Sequence, residues 1–363
     1  MITSFSIRNF RNLIQFQIDT CFNINYIYGD NNQGKTTLLE AIYIFLSGNY
    51  LYEKDIYSLV NFNQTKAVLS GNWYDKDHTD NIYITLDKQS GFHTVINKKI
   101  EKKKSFEHKF CIADYLSSDV NRYFQESPEQ RRKVIDDFCS VYFPLFSTNM
   151  KQYLKVSKQK NMLLKAPKID SLYRDVLNQQ LADFSANIVS FRQKALQIIF
   201  NYFCNNQINL FGDIFSDIKI NYFCHRLSLN SFDTDAYKEA FLKQIKLDET
   251  KERYLGYTLI GAKRDDFDIT LKEKSLFRYY SKGINRLFSI LFKLAQWRIL
   301  SDKCEKPLIL LLDDAFSEID RSKRVVLSQY VSNYYQLFVT STDKYDAQFY
   351  NNVKIFSISK VIK

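Results

Sequence analysis

The sequence has little glycine and proline, 9 and 4 in 363 residues, and is rich in Lys, Asn, Ile, Tyr and Phe. It has no run of the roughly 18 apolar residues that a membrane span needs, which excludes a helical membrane anchor. Residues 1–20 carry Arg8 and Arg11 with no apolar core of a secretion signal, so a cytoplasmic location is expected. The six cysteines (Cys21, Cys111, Cys139, Cys204, Cys224, Cys304) form no C-x-x-C pair and the four histidines do not cluster. The expectation is reduced, mostly buried thiols and no Cys/His metal centre. No internal repeat is found.

What is present is an apolar fraction of 45%, ample for a packed core, in a chain too long for one compact core. Two domains, or one with a large insertion, are expected. The formal charge of +11 suits a polyanion, nucleic acid being the obvious one. The Lys- and Asn-rich composition reads as genome bias just as well, so charge alone is weak ground.

The chain is organised around Gly29-Asp30-Asn31-Asn32-Gln33-Gly34-Lys35-Thr36, which fits G-x-x-x-x-G-K-[ST]. Residues 23–28 alternate polar with apolar as a strand does, and 37–46 have apolar residues at helical spacing. A strand, this loop and a helix make a phosphate cradle: successive backbone N–H groups and the helix dipole favour an anion. Gly29 to Thr37 are therefore the expected ATP-binding set. Lys35 reaches the β- and γ-phosphates and the Thr36 hydroxyl ligates Mg²⁺.

Before the loop, Ile2, Phe5, Ile7 and Phe10 and then residues 14–18 read as two strands. After it, residues 67–71, 82–86 and 93–96 alternate, the last two joined as a hairpin through 88–91. A basic run, Lys98, Lys99, Lys102, Lys103 and Lys104, reads first as a solvated loop and second as a phosphate contact. Ser127-Pro128 caps and opens a helix running to Phe138. Leu177, Leu181, Phe184, Ile188, Phe191, Ala195, Ile198 and Tyr202 form a heptad seam. Packed against residues 153–164 this makes an antiparallel arm; an ordinary amphipathic core helix fits equally. Residues 208–250 are uninformative. Strands are expected at 257–260, 267–271, 308–312 and 336–340, and helices at 284–300 and 323–331.

The run 308–312 is apolar throughout, as in a strand buried on both faces, and it ends in Asp313-Asp314. Adjacent carboxylates there are costly unless a cation attends them, and Mg²⁺-nucleotide is a ready answer. Asp313 is expected to hold Mg²⁺ and Asp314 to polarise the attacking water, although the two can exchange duties and a helix cap explains them as well. The expected fold class is α/β, with one nucleotide site assembled from the two ends of the chain. The segments are 1–145 and 251–363 for the two halves of a head and 146–250 for a helical arm.

This plan is similar to the ABC-type ATPases related to SMC and Rad50 proteins, and within them the chain resembles the RecF family over nearly its whole length. Residues 5–12 (FSIRNFRN) resemble the family's opening. Residues 127–133 (SPEQRRK) match its S-P-x-x-R-R-[RK], and 159–164 (QKNMLL) its arm motif. Residues 261–266 (GAKRDD) stand for G-P-H-R-D-D, 310–320 for L-L-L-D-D-x-x-S-E-L-D, and 338–342 for F-V-T-T-T. The family's signature S-x-G-Q-Q-R is here Ser281-Lys282-Gly283-Ile284-Asn285-Arg286, without both glutamines, and Asn32 replaces a small residue.

The resemblance implies a DNA-damage and SOS-response ATPase that binds double-stranded and gapped DNA and acts near single-stranded DNA. It implies an ATP-dependent homodimer in which Ser281 and Gly283 of one copy reach the other's nucleotide, Ser281 thereby joining Lys35 and Asp314 in catalysis. RecR and RecO are the implied partners, helping RecA displace single-strand binding protein, with no membrane involved. Lys102, Lys103, Lys104, Arg131 and Arg132 are the candidate DNA contacts. Rival readings are a related ATPase of a defence or nuclease system and a scaffold that binds ATP with little turnover. The short arm argues against a long-armed SMC or Rad50 protein.

Overall fold

The computed structural model describes residues 1–20, 23–51, 55–75, 77–106, 109–227, 232–332 and 336–358, without the side chain of Lys104. Along the chain the strands are β1 (Ile2–Phe10), β2 (Leu13–Asp19), β3 (Ile24–Tyr28), β4 (Lys66–Asp75), β5 (His78–Asp87), β6 (Gly91–Ile96), β7 (Lys99–Glu101) and β8 (Ile112–Ser117). They continue with β9 (Ile218–Phe223), β10 (Asp266–Leu271), β11 (Lys274–Ser275), β12 (Leu308–Asp313), β13 (Gln336–Ser341) and β14 (Val353–Ser357). The longer helices are α1 (Lys35–Ser47), α2 (Pro128–Tyr142), α3 (Phe146–Leu164), α4 (Ser171–Asn206), α5 (Thr234–Leu255), α6 (Lys282–Cys304) and α7 (Arg321–Ser332).

Two compact units result, Met1–Val120 with Ser301–Lys363, and Asn121–Leu300. Residues 121–145 and 251–300, assigned above to the head, thus cluster with the arm residues 146–250. The first unit holds a five-stranded parallel sheet in the order β14-β3-β13-β12-β8 and a six-stranded antiparallel sheet in the order β2-β1-β4-β5-β6-β7. In the parallel sheet the middle strands are β3, β13 and β12; Leu308 to Leu312 are all buried, as their unbroken apolar run requires. Helix α1 shares one apolar core with both sheets, Phe45 meeting Phe5 edge-on at 5.1 Å between ring centres. Gly71 on β4 permits this closeness: a Cβ there would lie 2.4 Å from the Ser4 carbonyl and 3.0 Å from Phe45. The expected hairpin is β5–β6, and the basic run 98–104 contributes the short strand β7.

In the second unit Ser127 caps α2, its Oγ accepting from the Gln130 N–H at 3.3 Å. Helix α4 buries the seam residues Leu177, Leu181, Ile188 and Ala195, but also Ala182, Ser185, Val189, Arg192, Leu196 and Ile199. That face is wider than a heptad stripe because α4 packs against α2, α3 and α5. It is a core helix of this unit. Residues 257–260 are not a strand. Their N–H groups are taken by side chains instead, Thr258 by Asn161 Oδ1 at 3.0 Å and Leu259 by Glu252 Oε1 at 2.8 Å. The segment 208–250 holds β9, antiparallel to β10, and α5. Cys111 and Cys139 are buried while Cys204, Cys224 and Cys304 are half-buried; Cys21 lies outside the described residues.

Candidate nucleotide site

The site lies at the carboxyl edge of the parallel sheet, where open α/β folds bind ligands. Strand β3 ends at Tyr28 and the loop 29–34 turns the chain into α1. Two residues of the loop adopt left-handed backbone, Asn32 at φ +67° and Gly34 at φ +86°. Asn is among the residues that tolerate this conformation, so the replacement noted above is accommodated. A Cβ on Gly29 would lie 2.4 Å from Gln33 Oε1 and from Ile358, so a larger residue there would displace both side chains. The loop is closed by its own side chains: the Asp30 N–H donates to Gln33 Oε1 at 2.9 Å.

Lys35 points back into the loop, Nζ donating to the carbonyls of Gly29 at 2.6 Å and Asp30 at 2.8 Å. Burial lowers its pKa, and the charges of Asp313, Asp314 and Asp30 work against that. Asp313 is the acceptor at the centre. Its Oδ2 receives the hydroxyls of Thr36 at 2.7 Å and Tyr115 at 2.6 Å, and its Oδ1 that of Thr340 at 2.6 Å. Residues from α1, β8, β12 and β13 therefore converge on one carboxylate, and Thr340 sits opposite Asp313 in the parallel register. Asp314 stands at φ +50°, its N–H donating to the Thr340 carbonyl at 3.1 Å.

Sequence reasoning missed Tyr115 and Thr340. Thr340 lay within a quoted motif, whereas nothing local marks Tyr115, because only the pairing of β8 with β12 brings it here. The opening motif also finds its purpose in this unit. Arg11, at φ +48°, forms a two-pronged ion pair with Glu40 of α1, Nη2–Oε1 2.9 Å and Nε–Oε2 2.7 Å. Asn12 and Leu13 lie against Gly34, where a Cβ would come within 3.3 Å and 3.0 Å of them. The opening segment thus braces the phosphate loop and the helix behind it.

Ser281 and Gly283 belong to the other unit, at the start of α6. The Ser281 hydroxyl accepts from the Ile284 N–H at 3.4 Å, capping the helix, and Asn285 is folded inward and buried. Among the DNA-contact candidates, Lys102 is exposed, and Lys103 lies over the rings of Tyr50 and Phe92 at 4.2 and 4.9 Å. The Arg131 guanidinium is held by both oxygens of Asp266, at 2.8 and 2.6 Å, and by the Phe124 carbonyl. Arg132 donates to the Asp265 carbonyl at 2.5 Å.

The AAA ATPase domain family matches residues 1–315. The DNA replication and repair protein RecF of Ruminiclostridium cellulolyticum is 29% identical over 353 residues, covering 95% of this chain and 93% of that protein. RecF of Clostridioides difficile is 26% identical, covering 98% and 96%. Among solved structures, the recombination mediator protein RecF-ATPrS in the RecFOR pathway superposes with a TM-score of 0.81 at 23% identity, covering 98% of this chain and 95% of that one. A Pyrococcus furiosus Smc head domain superposes with a TM-score of 0.55 at 12% identity, covering 98% and 93%. The chain belongs to the AAA ATPase domain family, and it is similar to RecF proteins over nearly its whole length.

Proposed function

We propose that this chain is an ATP-binding DNA replication and repair protein of the RecF type. The observation that carries the reading is the convergence of Thr36, Tyr115 and Thr340 on Asp313 beside Lys35, which joins the two ends of the chain into one nucleotide site. Lys35 and the N–H groups of the loop suit the phosphates, and Thr36 with Asp313 suits Mg²⁺. The ion supplies charge neutralisation on the phosphate oxygens when bound. The protein's own contribution is a preformed acceptor: Asp313 is already oriented by hydroxyl donors, so it need not reorganise. Asp314 is the residue for polarising the attacking water.

In this reading ATP pairs two copies, Ser281 and Gly283 of each facing the partner's nucleotide. The closed pair holds double-stranded DNA near a single-strand gap and promotes recombinase loading with RecO and RecR. Lys102 and Lys103 are its DNA contacts, with sequence-independent, salt-sensitive affinity. A second reading, an ATP-binding scaffold with little turnover, is favoured by the Ser281–Arg286 segment. Both family glutamines are absent.

The test is ATP hydrolysis as a function of protein concentration, with and without gapped duplex DNA and with Lys35→Met as the blank. A specific rate that rises with concentration and with DNA is expected. A flat rate insensitive to DNA, or none above the blank, sinks the shared-site reading and favours the scaffold.

A further inference from the structure

The second unit contains a cavity of about 530 Å³ between α2, α3 and the segment 257–264. Five cationic side chains line it: Arg132 and Lys133 of α2, Arg192 of α4, and Lys263 and Arg264. Only Arg192 is neutralised, by the two oxygens of Asp136 at 2.7 and 2.9 Å. Arg132 donates to the Asp265 main-chain carbonyl, and the nearby Asp265 and Asp266 carboxylates act on its charge. Among the described residues no carboxylate lies within ion-pair distance of Lys133, Lys263 or Arg264. Glu129 is the other carboxylate in the wall. Lys133, Lys263 and Arg264 thus face a concavity whose wall offers them only Glu129, and like charges gathered there repel one another and are relieved by an anion.

The cations on the rim are held in place by their backbone. Residues 261–264 form a tight turn, the Arg264 N–H donating to the Gly261 carbonyl at 2.7 Å. Gly261 stands at φ +116°, and a Cβ there would lie 2.7 Å from the Tyr153 hydroxyl oxygen. Arg192 donates to the Ala262 carbonyl at 2.5 Å on one side. On the other, the Asp265 carboxylate accepts from the His225 N–H at 2.9 Å and the Tyr222 hydroxyl at 3.1 Å. Lys263 and Arg264 are the exposed apex of this buried staple, so the backbone that carries them need not reorder when they take a ligand. Asn161 positions the neighbouring chain through Thr258, and the Arg264 guanidinium stacks over the Tyr257 ring at 5.3 Å. Tyr257, Leu154 and Met150 add apolar surface beside the charges.

We propose that this cavity is a second phosphate site, independent of the loop at residues 29–36, and that it takes a phosphorylated nucleoside. The phosphate lies among Lys133, Lys263 and Arg264, and the base lies against Tyr257 and Leu154. The volume is in the range of small-ligand sites, and aromatic surface beside cations is the chemistry that holds nucleotides without reading their sequence. The same chemistry is offered by a free nucleotide and by the phosphorylated end of a single strand.

The experiment uses the full chain carrying Lys35→Met, so that binding at the phosphate loop does not contribute and failure of the ATP-site reading leaves this test intact. Calorimetric titrations are made with dTMP, with a dodecathymidylate bearing a 5′-phosphate, and with the same strand bearing a 5′-hydroxyl. Binding of a phosphorylated probe is expected, weakened at least tenfold by Lys263→Glu with Arg264→Glu, retained by Arg264→Lys, and unaltered by the exposed control Lys274→Glu. Binding of dTMP at least as tight as that of the phosphorylated strand, which it displaces, points to a free nucleotide as the source; binding of that strand alone identifies a strand end. No binding of either phosphorylated probe, equal binding of both strand ends, or indifference to the double charge reversal overturns the proposal. In a Trp73→Phe background, the urea-unfolding transition of Trp297 fluorescence verifies that the reversed variant is folded.

Discussion

Carboxylates in this molecule are held in two opposite ways, and Asp313 of the first unit contrasts with three ion-paired carboxylates of the second, as it does with Glu40 of its own unit. In the first, Asp313 is gripped by three neutral hydroxyls, which orient a negative charge without cancelling it. In the second, Asp136 and Asp266 are each clasped by a guanidinium, Arg192 and Arg131, and Lys160 pairs with Glu252 where both are almost wholly buried. A carboxylate met by hydroxyls keeps its charge for something that arrives later. One met by arginine has its charge answered within the fold and serves to fix the packing of helices. The density of charge in a motif is therefore a poor guide to ligand binding. The partner of each charge decides.

The largest effect should come from breaking a pair of the second kind. Asp136→Ala leaves Arg192, 2% exposed, without its counter-charge, and a loss of about 3–5 kcal/mol of stability is expected. The two tryptophans fall in different units, Trp73 in the first and Trp297 in the second, both buried. Urea titration of Asp136→Ala in a Trp73→Phe background thus reports the second unit alone. An unchanged midpoint there would mean that the pair contributes no net stability.

Asp265 makes the next largest contrast. Burial raises its pKa to about 6, against hydrogen bonds from the His225 N–H and Tyr222 and the charges of Arg192 and Arg132. Below about pH 4 the carboxyl is protonated folded and unfolded alike and contributes no pH dependence. Between about pH 4 and 6 the unfolded chain gives up this proton while the folded chain retains it, so stability falls as pH rises; above about 6 the loss is complete. Asp265→Asn keeps an oxygen for the His225 N–H and has no charge to bury. Its stability relative to the parent should rise by up to roughly 3 kcal/mol between pH 4 and 7, read from the same Trp297 titration. A difference that stays flat over that range would place the Asp265 charge in a better-solvated setting.

The nucleotide half of the molecule was the more legible in sequence because its signals are local. The strand, glycine loop and helix lie within some 25 residues, and a wholly apolar strand ending in two acids announces itself. The roles of Arg131 and Arg132 were not legible. Their partners, Asp266 and the Asp265 carbonyl, lie more than 130 residues away, so the sequence showed two charges without the groups that hold them. The same distance hid β9, whose alternation is short and whose partner β10 begins only after the whole of α5. Residues 257–260 misled in the other direction: they have the β-branched and aromatic residues of a strand, but Asn161 and Glu252 satisfy backbone groups that a sheet would otherwise have used. Tyr115 escaped because nothing in its own segment marks it, and it becomes a site residue only when β8 is laid beside β12.

The smallest effect on folding, and the sharpest on ligand, should come from Asp313→Asn. The amide has the shape of the acid and keeps one oxygen, so Thr36 and Tyr115 retain an acceptor, and the Thr340 hydroxyl can reverse its role to accept from the amide nitrogen. Stability of the first unit, followed by Trp73 in a Trp297→Phe background, should change by no more than about 1 kcal/mol. What the amide lacks is the charge, and Mg²⁺-dependent affinity for ATP should fall by roughly 10- to 100-fold. Titration with and without magnesium separates the two contributions, since the loss belongs to the magnesium-dependent part if Asp313 is reserved for the ion. Were the variant instead as unstable as Asp136→Ala, with magnesium-dependent affinity intact, Asp313 would join the structural carboxylates, and hydroxyl partners would no longer distinguish a waiting charge from a settled one.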